Sequence, residues 1–314
     1  MPTRRRFIAQ SAASLTSAGL GAKFLRADDE KSSATPLETP LAKPLLIDSH
    51  VHVFEHNPEF PFAQGANVPA EDAPPEKLLQ LMHANGVART VIIQVIHYKW
   101  DNRFLASVLK KYPGIFQGVC RVNPEDPGAP DHLSRLTEEG FRGVRISPAA
   151  DAKGDWIRGP LMPPLWRRCN ELRVPMNVLI DAIRLPDLVP LIEANPDLTV
   201  VIDHMASCPL NRPDLAKLLL NLARYPKVFV KISGMWTASK QPYPYLDAQD
   251  LVKRLVASFS ARRLMWDTNW PVSLEQLSYA KAVELYRDHM SFLSRDEHEE
   301  ILSRTVQRIW PFGL

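Results

Sequence analysis

Two histidines one residue apart stand at the end of an apolar run, Leu45-Leu46-Ile47-Asp48-Ser49-His50-Val51-His52. Side chains of a strand alternate with a period of two, so His50 and His52 face the same way. Two imidazoles on one side of a strand end can converge on one divalent cation, or they can form a hydrogen-bonded structural pair. Another run ends Val200-Val201-Ile202-Asp203-His204. His204 is a candidate third metal ligand, or a base that handles an attacking water. Asp203 is placed to orient a neighbouring histidine, and a purely structural Asp-His pair is the other possibility.

Three cations sit inside apolar runs: Arg121, Arg145 in Gly143-Val144-Arg145-Ile146, and Lys231 in Val228-Phe229-Val230-Lys231-Ile232. A charge is expensive to bury without a partner. Each must meet an internal carboxylate or reach a place where it can hold a substrate anion, for which the planar fork of Arg is suited. The last run reads Leu264-Met265-Trp266-Asp267-Thr268-Asn269-Trp270-Pro271. The period-two rule puts Asp267 and Asn269 on one face. A carboxylate there can serve as base or ligand, whereas an amide cannot take a proton. Trp270 joins Arg121, Arg145 and Lys231 as a candidate substrate-binding residue.

These residues need elements to carry them. Eight Val/Ile/Leu-rich runs predict strands over 45–54, 90–96, 116–122, 143–146, 175–180, 199–203, 228–232 and 263–266. Buried parallel strands read as such continuous apolar runs. Helical segments fill gaps at 76–85, 164–172, 185–194 and 214–225, and two long ones follow at 274–290 and 295–310. Eight alternating units favour a closed (β/α)₈ TIM barrel over an open sheet, and no G-x-G-x-x-G follows the first strand. In such a barrel chemistry sits at the C-terminal ends of the strands, where the residues above cluster. The long loop 55–75, with Phe60 and Phe62, and the stretch 236–245, with Tyr243 and Tyr245, are candidate walls or lids; packing onto the barrel is the alternative.

A chain of 314 residues accommodates one such barrel over 45–314. Its net charge of +3 and 23% charged residues exclude the basic stripe of a nucleic-acid binder. Cys120, Cys169 and Cys208 are odd in number and far apart, so they read as core residues rather than a disulfide framework. Residues 1–27 begin Thr3-Arg4-Arg5-Arg6-Phe7-Ile8 and continue through a short Ala/Ser/Leu/Gly stretch. This is a twin-arginine signal pattern, too short for a membrane span, with cleavage after Ala22 or Ala27. Residues 28–44, with Pro36, Pro40 and Pro44, read as a disordered linker. The expected location is therefore periplasmic, reached through the twin-arginine export machinery.

Asp48-Ser49-His50-Val51-His52, Gly118-Val119-Cys120-Arg121-Val122-Asn123-Pro124, Gly143-Val144-Arg145, Val201-Ile202-Asp203-His204, Val230-Lys231-Ile232-Ser233-Gly234 and Trp266-Asp267-Thr268-Asn269-Trp270-Pro271 occur in this order. Together they resemble the amidohydrolase superfamily, in particular the amidohydrolase-related group that includes sugar-lactone and pyrone-dicarboxylate lactonases. The resemblance spans about residues 46–312. It implies hydrolysis of an ester or lactone by an activated water. It also implies a divalent metal, most often zinc, on His50, His52 and His204, although some lactonases of this branch act without one. The expected substrate is a small acidic or sugar-like lactone. The family pattern at the last strand is Gly-Ser/Thr-Asp-Trp-Pro, so Asn269 stands where the family has its proton-accepting Asp, and Asp267 where it has Gly. Strand five carries Asn177 and no histidine. These departures leave two alternatives to a lactonase: a decarboxylase or lyase on the same barrel, and a binding protein without catalysis.

Overall fold

The structure, a computed structural model, describes residues 45–148 and 155–312. The signal and linker expected at 1–27 and 28–44 lie outside the described residues. The eight expected strands all form: β1 Leu46–Val51, β2 Val87–Ile93, β3 Phe116–Arg121, β4 Val144–Ile146, β5 Met176–Val178, β6 Val200–Ile202, β7 Val228–Lys231 and β8 Leu264–Met265. They pair in parallel in sequence order, β1 to β8. The ring closes where β8 leads back to β1: Ser49 N donates to Trp266 O (3.3 Å), His52 N to Trp270 O (2.7 Å) and Asn269 N to His50 O (3.0 Å). Between β1 and β2 the register slips, because Asp48 faces Thr90 while Val51 faces Ile92. That extra residue is a β-bulge, a device that re-aims side chains near active sites, and here it lies at His50.

Helices cover the outside. The expected ones appear with shifted ends, at Pro75–Asn85, Met162–Leu172, Val189–Ala194, Pro213–Asn221 and Tyr279–Asp288. Gly86, in the left-handed conformation at φ 72°, stops the first of them and returns its N–H to the last turn. Arg103–Lys111, Ala129–Glu138 and Leu246–Phe259 are further helices beyond those the sequence predicts. Trp310 and Phe312 pack with Ile47, Val91, Ile93, Val119, Val201 and Met265 in a small separate core. Trp310 lies against Gly143, where an added Cβ would come within 3.2 Å of its Nε1, and its ring sits 5.7 Å from the Lys231 ammonium. The chain's end thus closes off the interior below the polar site. Among the described residues no helix is long and apolar enough to cross a membrane.

Of the loop aromatics expected as walls or lids, Phe60 and Phe62 pack onto the connections that follow β2, and Tyr243 and Tyr245 pack against each other. Phe62 stacks on Tyr98 (5.0 Å), Phe60 meets Phe104 (5.8 Å), and Tyr243 meets Tyr245 (5.7 Å). The three cysteines are buried and free, as the sequence suggests.

Candidate active site

β1, β6, β7 and β8 bring His50, His204, Lys231 and Asp267 together, as the strand-end rule predicts. His50 and Lys231 are fully buried, and so is Asp203. The Lys231 ammonium has three partners: Asp203 Oδ1 at 3.0 Å, His50 Nδ1 at 3.1 Å and Asn177 Oδ1 at 3.2 Å. Arg145 Nε donates to Asp203 Oδ2 at 2.9 Å. Burial pushes the Asp203 carboxyl up, but Lys231 and Arg145 outweigh it and hold the group well below the usual carboxylate range. Arg145 and Lys231 are therefore tied into an internal ion network. Expected as substrate ligands, they act as supports, because a buried charge takes the nearest carboxylate.

The hydrogen bonds fix the histidine tautomers. Ammonium protons can only donate, so His50 Nδ1 accepts from Lys231 and the ring proton sits on Nε2. That nitrogen lies 3.2 Å from His52 Nε2. His52 in turn donates Nδ1–H to the Ile93 carbonyl at 2.8 Å, which leaves its Nε2 to accept. Both rings are neutral. Burial, followed by Lys231 for His50 and by Arg145 for His52, holds their imidazoles well below the usual histidine value.

His204 is the member of the set that reaches solvent, with its side chain 14% exposed. Its Nδ1 lies 2.7 Å from Ser233 Oγ, and that hydroxyl donates to Asp267 Oδ2 at 2.6 Å. Burial lowers the His204 imidazole to about 3, with Asp203 opposing the fall and Arg145 and Lys231 adding to it. Burial pushes the Asp267 carboxyl well up, with Lys231 opposing. Asp267 Oδ1 is buried without a hydrogen-bond partner. A proton there would leave Oδ2 to accept from Ser233, so the two observations agree.

His204 owes its position to an unusual turn. His204, Met205, Ala206 and Ser207 all have positive φ, between 46° and 54°. A run of left-handed residues costs roughly 1–2 kcal/mol per residue when none is Gly. Gly234, beside this turn, has φ +83°, a conformation that favours glycine. Replacing Ala206 by Gly should raise the unfolding free energy by about 0.5–1 kcal/mol, the relief of strain less the extra freedom of the unfolded chain. Urea melts would show it, and a loss of stability would contradict the left-handed turn.

At β8 the period-two rule fails. The strand ends at Met265, and Asn269 has φ 51°. Asp267 faces His204, at 4.0 Å from Oδ1 to Nδ1, whereas Asn269 binds the His50 carbonyl through its backbone. Trp270 is fully buried in the β8–β1 seam, which corrects its reading as a substrate-binding residue. Thr268 Oγ1 donates to Asp48 Oδ2 (2.6 Å), while Thr268 N and His50 N donate to Asp48 Oδ1 at 3.2 and 3.1 Å. Asp48 thereby clamps the bulge to β8, and burial lifts its carboxyl to about 6 against these hydrogen bonds.

His50, His204 and Asp267 offer ligand atoms within 4.8 Å of one another and could hold a metal ion. This group differs from the expected His50, His52 and His204 by exchanging His52 for Asp267. The unpaired Asp267 Oδ1 suits a cation. The His50–His52 separation is also close to the ~3.3 Å between two nitrogens on one tetrahedral zinc. A metal on His50 Nε2 has to displace the proton that Lys231 fixes there.

Arg121 stands apart from this network. Its Nη1 donates to Ser147 Oγ at 2.7 Å, its Nε is buried without a partner, and its guanidinium lies over the Trp100 ring at 5.3 Å. Burial and then Arg145 lower it to about 9, which leaves it cationic at neutral pH. It lines a cavity of about 250 Å³ with Trp100, Ser147 and Trp156. The two tryptophans come from connections far apart in sequence, and neither carried a signal. Ser233 did carry one: it stands two residues beyond Lys231, in the same run of sequence.

The comparisons with known proteins agree with this geometry. The amidohydrolase family model matches residues 47–312. The chain is 29% identical over 233 residues to L-fucono-1,5-lactonase of Burkholderia ambifaria, covering 72% of this chain and 80% of that protein. It is 30% identical over 242 residues to 2-pyrone-4,6-dicarboxylate hydrolase of Comamonas testosteroni, covering 72% and 76%. The crystal structure of a candidate 2-pyrone-4,6-dicarboxylic acid hydrolase from Pseudomonas putida superposes with a TM-score of 0.75 at 28% identity, covering 87% of this chain and 99% of that one. The match over most of the chain, with the strand-end site in place, means that this protein belongs to the amidohydrolase family.

Proposed function

We propose that this enzyme is a lactonase that opens a small cyclic ester, with His204 as the base that activates water. The observation that carries the reading is the His204 ring itself. Ser233 takes its Nδ1, and Nε2 makes no hydrogen bond among the described residues. Nε2 is then a bare, neutral nitrogen at the edge of a buried polar centre, able to take a proton from water attacking the carbonyl. The similarity to two lactone-opening enzymes supports the same chemistry.

Lys231, Asp203 and Arg145 support the floor of the site, and His50 and His52 form its neutral wall. Arg121 binds an anionic or polar group of the substrate, with Trp100 and Trp156 as ring surfaces beside it. A divalent ion, zinc first among them, would be held by His50, His204 and Asp267, and it would polarise the carbonyl and acidify a bound water. An ion held through His204 Nε2 would occupy the nitrogen that serves as base, so the two arrangements would be alternatives.

The test is a panel of acidic and neutral lactones, with ring opening followed by acid release and metal content measured on the same sample. Turnover with about one equivalent of bound metal would transfer the base role to the metal site. No opened lactone, with carbon dioxide released from a carboxylated substrate instead, would replace the lactonase reading with a decarboxylase. Arg121→Met should raise KM for a carboxylate-bearing lactone about 10- to 100-fold, the worth of a hydrogen bond to a charged group, with a much smaller effect on a neutral lactone. An equal effect on both would remove Arg121 from anion binding.

The same proposal includes export. Arg4-Arg5-Arg6-Phe7-Ile8 and the short apolar stretch behind it support a twin-arginine signal and a periplasmic location. Replacing both Arg4 and Arg5 by Lys should leave the full-length precursor in the cytoplasm when cell fractions are blotted. Continued export would contradict this reading.

A further inference from the structure

Ser233 has so far figured only as the partner of His204 Nδ1, yet it is fully buried between the two groups that matter most. Its hydroxyl is 2.7 Å from His204 Nδ1 and 2.6 Å from Asp267 Oδ2. One hydroxyl has one proton. When that proton goes to the Asp267 carboxylate, the oxygen can serve Nδ1 only by accepting, so His204 must carry its proton on Nδ1 and present a bare Nε2. Asp267 alone cannot impose this, because its Oδ1 lies 4.0 Å from Nδ1.

We propose that Ser233 is a positioning residue that couples Asp267 to His204 and so fixes the ring orientation and tautomer His204 needs as a base. The proposal rests on the lactonase reading for its kinetic consequence but not for its structural one. The serine lies two residues past the end of β7. Lys231 anchors the strand two residues earlier, and Gly234, directly after it, takes φ +83° beside His204. Removing a group that orients a reactive histidine typically lowers activity about 10- to 100-fold.

The experiment compares wild type with Ser233→Ala and Ser233→Thr. Thr keeps the hydroxyl, and thermal melts of all three establish that they fold. In long-range ¹H–¹⁵N spectra of histidine-labelled protein, His204 is assigned by its loss in His204→Gln. Wild type and Ser233→Thr should show the Nδ1–H tautomer, and Ser233→Ala should lose it. With a lactone that the wild type opens, Ser233→Ala should lower kcat about 10-fold or more with KM within about twofold, and Ser233→Thr should recover most of the loss. A His204 tautomer unchanged in Ser233→Ala overturns the proposal, as does a changed tautomer with unchanged kcat. If no lactone is opened, the function falls but the spectra still decide the role of Ser233.

Discussion

Lys231→Met should lower the unfolding free energy by about 3–5 kcal/mol, a large part of the ~5–15 kcal/mol that keeps a domain folded. Met matches the length of Lys but brings no charge and no protons. Two acceptors then lose their donor, His50 Nδ1 and Asn177 Oδ1, and Asp203 Oδ1 loses its ion pair. Arg145 remains on the other oxygen of Asp203, so the carboxylate keeps one of its two cations. The penalty is that of a buried charge left undercompensated, rather than the net value of the ion pair. The pH dependence gives a second reading. Asp203 has its folded carboxyl held well below the unfolded value, so it adds stability above the unfolded value and loses that contribution as pH falls through the folded one. Without Lys231 the folded value rises and this contribution shrinks, so the advantage of neutral over acidic pH should be smaller in the variant. Asp203→Asn added to Lys231→Met should recover part of the loss, because the two residues are directly coupled. A loss under about 1 kcal/mol would mean that Lys231 is not the counter-charge the geometry makes it.

The fold was legible because a buried parallel strand has little freedom in composition. Runs such as Val200-Val201-Ile202 and Val228-Phe229-Val230 have few other structural uses. Placing the His50–His52 pair, His204 and Lys231 at one site followed from the same rule, since those residues close the runs. The rule fails where the backbone stops being a strand. β8 ends at Met265, so extrapolating its alternation to Asn269 and Trp270 gave a common face that the left-handed Asn269 breaks. The roles of Arg145 and Lys231 were not legible either. A cation in a strand looks the same from the sequence whether it meets a substrate or an internal carboxylate. Only the convergence of β4, β6 and β7 on Asp203 decides between them. Trp100 and Trp156 line the cavity from irregular connections, and connections have no periodicity to read.

His204→Gln should lower kcat/KM about 10²- to 10⁴-fold, the usual contribution of a positioned general base, while thermal melts stay close to wild type. Gln keeps polar atoms near Ser233 and approximates the volume of imidazole, but it has no basic nitrogen. His204 is at the margin of the core with its side chain 14% exposed, so the loss should appear in turnover far more than in folding. The pH profile separates this base from an ordinary histidine. A base acts when deprotonated, so activity falls as pH drops through its pKa. An unperturbed imidazole would halve kcat/KM near 6.5, whereas His204 is lowered to about 3 by burial. The acid limb of the wild-type profile should therefore stay flat through pH 5. An inflection near 6.5 that disappears in His204→Gln would show that solvent reaches the ring in the working enzyme and cancels the effect of burial. A variant with wild-type turnover would remove His204 from the reaction.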